Sequence, residues 1–217
     1  MASYFNLTLD TTAPSSCSIS SPARANAVNI TLTLGASDAS YMKVWGDICA
    51  EAGGSAIDEN NASWVAYGTS LAVILTAANA TKTIYAKFKD DVGNVSAAVS
   101  TTTILDTTAP VVTITGPDVS KISKVSGYDV AEFSFSADEP IKAWKVKVVP
   151  STSSINTAGT EIPTTAGSTN MSGSTQTEAE TAITCTIKGA DLEAASAGDG
   201  AKIIKVFVQD LNDNWSI

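Results

Sequence analysis

Residues 9–14 read Leu-Asp-Thr-Thr-Ala-Pro, and residues 105–110 read the same six letters. A repeat of this kind marks equivalent points in two copies of one structural unit, so it constrains the fold more than any local propensity does. Pro14 and Pro110 stand 96 positions apart, about the length of one β-sandwich domain. Proline has no N–H and a fixed φ, so each hexapeptide stops one hydrogen-bonded ladder and stiffens the passage into the next domain. Asp10 and Asp106, with the threonines beside them, can cap the strand end that precedes each proline.

A second alignment lies upstream of each domain's end. Thr83–Ser96 reads TIYAKFKDDVGNVS, and Ile203–Ser216 reads IIKVFVQDLNDNWS. Setting Asp90 on Asp210 and Asn94 on Asn214 brings Ile84 over Ile204 and Phe88 over Val208. Ile84, Ala86 and Phe88 alternate with Tyr85, Lys87 and Lys89, the period of a strand with one buried face. Asp-Asp-Val-Gly-Asn then supplies turn chemistry, with Gly93 free to take positive φ and the Asx side chains able to bond nearby backbone.

The same periodicity places further strands. In the first domain they are expected at 17–20, 28–34, 41–45, 71–76, 83–89 and 97–105. In the second they are expected at 111–115, 130–136, 141–149, 182–188 and 202–209, with a short helical turn at 190–195. The reading is all-β: two tandem immunoglobulin-like β-sandwich domains with an N-terminal extra strand. Residues 1–13 form that strand and the hinge, 14–106 the first domain and 107–217 the second.

Composition narrows the function. The chain has 217 residues, is 44% apolar and only 16% charged, and carries a net charge of −9. Non-specific nucleic-acid binding needs clustered cations to displace phosphate counterions, and the sequence has no such cluster. An acidic surface also discourages adhesion to anionic lipid, and no run of about 18 apolar residues exists to span a membrane. The N-terminus has neither a basic nor an apolar leader region, so no signal peptide is expected. The cysteines, Cys17, Cys49 and Cys185, are odd in number and lack metal-ligand spacing. Alternation with isoleucines turns Cys17 and Cys185 towards a core, whereas Cys49 lies in a Gly- and Ala-rich stretch where exposure is expected.

The hexapeptide hinge, the KDDVGNVS turn and the alternating strand before it resemble the Ig-like repeats of bacterial surface proteins and tailed-phage virion proteins. The resemblance covers nearly all of residues 9–110 and the last third of the second domain. It implies a structural or adhesive module and no catalysis. With no leader, it favours a virion protein made in the host cytoplasm: a capsid decoration, head-fibre or tail component. The alternative is a bacterial cell-surface adhesin or glycan-binding Ig-like module.

Candidate chemistry is sparse. The chain has no histidine, and no nucleophile or phosphate-cradling motif is present, so no enzyme and no cofactor are expected. Asp210-Leu-Asn212-Asp213-Asn214 matches the DxNDN string of cadherin calcium linkers, and oxygen-rich turns suit Ca²⁺. A hairpin turn accounts for the same string, because the first domain keeps only Asp90 and Asn94 of it. Seven Asn-x-Ser/Thr sequons follow from the abundance of Ser and Thr. Trp64, Tyr67 and Trp144 are read as core and sheet-face aromatics, with a sugar-stacking surface as the alternative. Residues 151–181, rich in Ser, Thr, Gly and Ala, read as a long loop and an exposed recognition surface.

The two domains are not cut alike. In the first, Asn94-Val-Ser is followed by a final strand at 97–105 and the hinge. In the second, Asn214-Trp-Ser stands where the chain has no such strand. Residues 3–9 precede the first hinge as a final strand would; Phe5, Leu7 and Leu9 share one face and align with Thr101, Thr103 and Leu105. The expected partners are copies of the chain itself, by exchange of the strand bearing Tyr4, Phe5, Leu7 and Leu9, other virion proteins, or a host-surface glycan or protein. Burying the three apolar side chains contributes roughly 4–9 kcal/mol before ordering costs.

Overall fold

The computed structural model describes residues 4–150 and 156–217. Residues 1–3 and 151–155 lie outside the described residues, and with them Ser3 of the expected N-terminal strand and the start of the expected long loop. The chain divides into two compact units, Met1–Thr107 and Thr108–Ile217, and each is a β-sandwich.

Unit 1 contains β1 (Ser15–Ser20), β2 (Arg24–Ala25), β3 (Asn29–Ser37), β4 (Tyr41–Gly46), β5 (Ile48–Cys49), β6 (Val65–Ala66), β7 (Ser70–Leu75), β8 (Ala80–Lys89) and β9 (Val99–Leu105). One sheet runs β1-β3-β7-β5 and the other β2-β9-β8-β4-β6. Alternation builds the layer between them. Ile30, Leu32 and Leu34 of β3 are buried, with Thr31 and Thr33 outside. Opposite them lie Met42 and Val44 of β4 and Ile84, Ala86 and Phe88 of β8. Each of these side chains larger than alanine, fully buried, stabilises by roughly 1.5–3 kcal/mol relative to exposure. The hydroxyl-rich outer rows explain why so few charges suffice to keep the sheets wetted.

Unit 2 contains β10 (Val112–Thr115), β11 (Val130–Ala137), β12 (Ile141–Val149), β13 (Thr160–Glu161), β14 (Ser172–Gly173), β15 (Ile183–Lys188), α1 (Gly189–Ala195) and β16 (Ile203–Asp210). One sheet is β10-β11-β15; in the other, β12 pairs with β16 on one side and with β13 and β14 on the other. Its core gathers Phe133, Phe135, Trp144, Val146, Cys185, Val206 and Val208. Gly173 leaves room for the Trp144 indole, since a Cβ there would strike the ring. The indole N–H donates to the Asn170 carbonyl at 3.0 Å.

The strands expected from period-2 patterning fall on β1, β3, β4, β7–β12, β15 and β16, and the helical turn on α1. Two expectations are corrected. Cys49 is buried in β5, where its thiol donates to the carbonyls of Ile74 and Leu75 at 3.5 Å; a two-residue strand leaves no alternation to read. The described part of 151–181 is not a loose loop. Ile162 and Met171 plug into the core, β13 and β14 lie along β12, and bridges join Thr177 to Ile141 and Thr169 to Thr186. Two apolar anchors among small polar residues are enough to pin a segment whose backbone finds ladder partners. Among the described residues, no helix is long and apolar enough to cross a membrane.

Candidate assembly site

The repeated turns are built from the same bonds. In unit 1, Asp90 Oδ1 accepts from the backbone N–H groups of Val92, Gly93 and Asn94 at 3.1, 2.6 and 2.8 Å, and Asn94 Nδ2 donates to Asp90 Oδ2 at 2.7 Å. In unit 2, Asp210 Oδ1 accepts from Asn212 and Asn214 N–H at 2.7 and 2.8 Å, and Asn214 Nδ2 donates to Asp210 Oδ2 at 2.7 Å. Both carboxylates are buried. Ser96 Oγ accepts from Phe88 N–H and Ser216 Oγ from Val208 N–H, each at 3.0 Å. The left-handed position is Gly93 at φ 104° in one turn and Asp213 at φ 74° in the other. Burial pushes the Asp90 carboxyl up, but the bonds from Asn94, Gly93 and Val92 outweigh it and hold it below the usual carboxylate range.

The first turn also grips the hinge. Asn94 Nδ2 lies 3.4 Å from the Asp10 carbonyl and 3.5 Å from that of Thr12, and Asp10 Oδ1 accepts from Thr12 N–H at 2.9 Å. At the other end of unit 1, Asn79 Nδ2 donates to Asp106 Oδ1 at 2.7 Å, and Asn79 Oδ1 accepts from Thr107 N–H at 3.1 Å. Pro14 and Pro110 are both buried. The hinge residues are therefore fixed to a sandwich rather than left as loose linker.

The edges beyond those turns differ. In unit 1, β9 closes the sheet: it pairs antiparallel with β8, from Ala80↔Leu105 to Ala86↔Val99, and parallel with β2 on its far side. Thr103 and Leu105 point inward and are 1% exposed, and Ile84 opposite Thr101 is 0% exposed. In unit 2, β16 pairs with β12. Among the described residues, its other edge carries only a bridge from Gln209 to Trp215 near the turn. Beside that edge runs a groove of about 760 Å³. Its walls include Ile114 and the 116–122 segment on one side, Gly200, Lys202, Ile204 and Val206 on the other, and Phe133 and Leu192 between them. Ile204, the counterpart of Ile84, is only half-buried, and Ile203 beside it is 44% exposed.

The N-terminal segment is the reverse case. Tyr4, Phe5, Leu7 and Leu9 are 85–90% exposed. The segment was expected as a strand, but it has no ladder partner among the described residues and so forms none. A strand exists only where another strand satisfies its N–H and C=O groups.

The remaining candidates have local partners. Asp213 Oδ1, in the calcium-like string, lies 2.7 Å from Lys142 Nζ and accepts from Gln209 Nε2 at 3.0 Å. Asp191 Oδ1 and Oδ2 accept from Ala166 and Ser168 N–H at 2.8 and 2.9 Å, and Oδ1 from the Thr165 hydroxyl at 3.0 Å. Burial pushes its carboxyl up, and those bonds bring it below the ordinary range. Burial raises the Cys185 thiol to about 12, which removes it as a nucleophile at neutral pH. Cys17 is half-buried against the unit 1 core.

Of one surface, sequence reasoning singled out only Trp64. On the outer face of β4 and β8, Trp45 stacks on Tyr85 with centroids 5.6 Å apart; Lys43 sits 5.2 Å from the Trp64 ring, and Lys89 lies 4.7 Å from Trp64 and 4.8 Å from Tyr41. Glu59 bonds Lys87 at 2.7 Å, and that bond, against some burial, holds its carboxyl below the ordinary range. Outward positions 41, 43, 45, 85, 87 and 89 carry the signal: each is aromatic or lysine, and pairing sets Tyr41 opposite Lys89, Lys43 opposite Lys87 and Trp45 opposite Tyr85. Tyr67 packs edge-on to Phe88, and Trp144 lies in the unit 2 core, away from any sugar-stacking face.

No family model and no curated protein matches this sequence. Among solved structures, the chain is similar to the fibronectin(III)-like modules of Clostridium thermocellum CbhA, at 15% identity and a TM-score of 0.45, over 92% of this chain and 90% of that one. It is also similar to the D00-D0 domain of intimin, at 13% identity and a TM-score of 0.33, over 92% and 98% of the two chains. A third is a tetra-tandem repeat from the extending region of a large adhesion protein, at 16% identity and a TM-score of 0.31, over 93% of this chain and 47% of that one.

Proposed function

We propose that this chain is a non-catalytic structural module displayed on a surface, that of a bacterial cell or of a virion, where it joins neighbouring modules through strand and hinge contacts. The observation that carries this reading is the use made of its buried polar groups. The carboxylates of Asp90, Asp191 and Asp210 are spent on backbone N–H groups of turns and connections. The carboxyl groups with resolved shifts, Glu59, Asp90, Asp129 and Asp191, are all lowered. A general acid at neutral pH needs the opposite shift. The same groups serve a structural repeat well, because they stiffen turns and connections within each unit.

Immunogold labelling of the source cells, and of phage particles released from them, tests the reading. Label on the outer cell surface fits an adhesin-like module, and label on capsids or tails fits a virion component. Label confined to the cell interior contradicts both.

A further inference from the structure

We infer that the groove of unit 2 is an acceptor for residues Tyr4–Leu9 of a second copy of this chain, which completes the sandwich by adding the strand that β9 supplies in unit 1. The inference rests on the reading of the chain as an assembling structural module and names its partner.

Three observations converge on it. The repeat equates Leu9 with Leu105 and Asp90 with Asp210, so the unit 1 register carries over directly. Thr101↔Ile84, Thr103↔Lys82 and Leu105↔Ala80 become Phe5 opposite Ile204, Leu7 opposite Lys202 and Leu9 opposite Gly200. Asn6 then faces Ile203 on the outer side. The inward receivers Gly200, Lys202, Ile204 and Val206 are walls of the groove, although nothing in the repeat required a groove to be there.

Chemistry agrees with the register. An open strand edge is a row of N–H and C=O groups ready to pair, and among the described residues neither Tyr4–Leu9 nor the β16 edge facing the groove has a ladder partner. The donor is more apolar inward than its counterpart: Phe5 and Leu7 replace Thr101 and Thr103. Buried Thr103 Oγ1 has no hydrogen-bond partner among the described residues. A strand joined covalently to its sheet tolerates that hydroxyl, whereas a strand recruited from solution must be held by the surface it buries. Tyr4–Leu9 carries no charged side chain, so it brings no like charge against Lys121 and Lys202 of the groove.

The test uses the full chain as wild type, as single-residue variants and as one double variant, Asn6→Cys/Ile203→Cys. Light scattering of the wild type should show a mass that rises with concentration to twice the monomer or more. Leu7→Asp should need at least tenfold higher concentration to reach the same mass. Its far-UV circular dichroism should be unchanged, because residue 7 lies outside both cores. Mixing two single variants, Asn6→Cys and Ile203→Cys, should yield an interchain disulfide on mild oxidation, since facing residues of paired strands lie within disulfide reach. Asn6→Cys mixed with Gln209→Cys should yield none. A wild type that stays monomeric, a Leu7→Asp variant that assembles equally well, or a disulfide that forms only inside an Asn6→Cys/Ile203→Cys chain would overturn the inference. Each of these differs from interior immunogold label, which would overturn the surface reading and leave strand exchange standing.

Discussion

The β8–β9 edge of unit 1 and the β16 edge of unit 2 begin from nearly the same sequence and end differently. Up to the turn they share one arrangement: a buried aspartate holding backbone N–H groups, an asparagine clamped to it, and a serine receiving the N–H of the strand's last core residue. Past the turn, unit 1 lays down β9 and buries Ile84, while unit 2 leaves Ile204 half-buried beside a groove. Local sequence thus fixes the turn, but it does not complete the sheet. Completion depends on which strand reaches the edge.

The largest test of this contrast is a matched pair of core truncations. Ile84→Ala should destabilise unit 1 by roughly 2–5 kcal/mol, as expected for a fully buried aliphatic. Ile204→Ala should cost less than half of that in dilute solution, where the groove is open, and more as the chain assembles. Urea unfolding at low and high protein concentration reads both. Equal costs in dilute solution would mean that the two edges are equally covered.

Next in size are Ser96→Ala and Ser216→Ala. Each leaves one buried N–H without its hydroxyl acceptor, at a cost of about 1–3 kcal/mol. Because the turns match, the two losses should agree within about 0.5 kcal/mol, each in its own unit. A large disparity would show that the turns are alike only in outline.

The smallest effect is in acid. Asp90 and Glu59 in unit 1, and Asp129 and Asp191 in unit 2, have carboxyl groups held below the ordinary range. For Asp129 the chief cause is the bond from Lys188. A depressed folded-state pKa stabilises fully above the unfolded value of about 4 and is lost as pH falls through the folded value. Both units should therefore keep constant stability from neutral pH to about 5 and weaken together below about 4. Loss of one unit well before the other would break the symmetry.

Much of this fold was legible because alternation is a strong signal when a strand exceeds about five residues. β3 and β8 declare their inward rows outright. The two-residue strands β5, β6, β13 and β14 carry no period, which is why Cys49 and the 160–177 segment were misplaced. The asymmetry between the domains was legible too, since Phe5, Leu7 and Leu9 align with β9. What the sequence could not supply was the wall of the groove. Leu192 of α1 and the 116–122 segment reach it only through tertiary packing, and no spacing relates them to β16. The lysine–aromatic face of β4 and β8 needed the pairing of two strands distant in sequence before it became visible as one surface.

The most direct measurement of the central claim is amide hydrogen exchange of Tyr4–Leu9 and Ile203–Phe207, followed as a function of protein concentration. Strand exchange between copies predicts that both segments gain protection together as concentration rises, while β8 and β9 stay protected throughout. Protection of β16 that does not change with concentration, with residues 4–9 exchanging freely at every concentration, would contradict it.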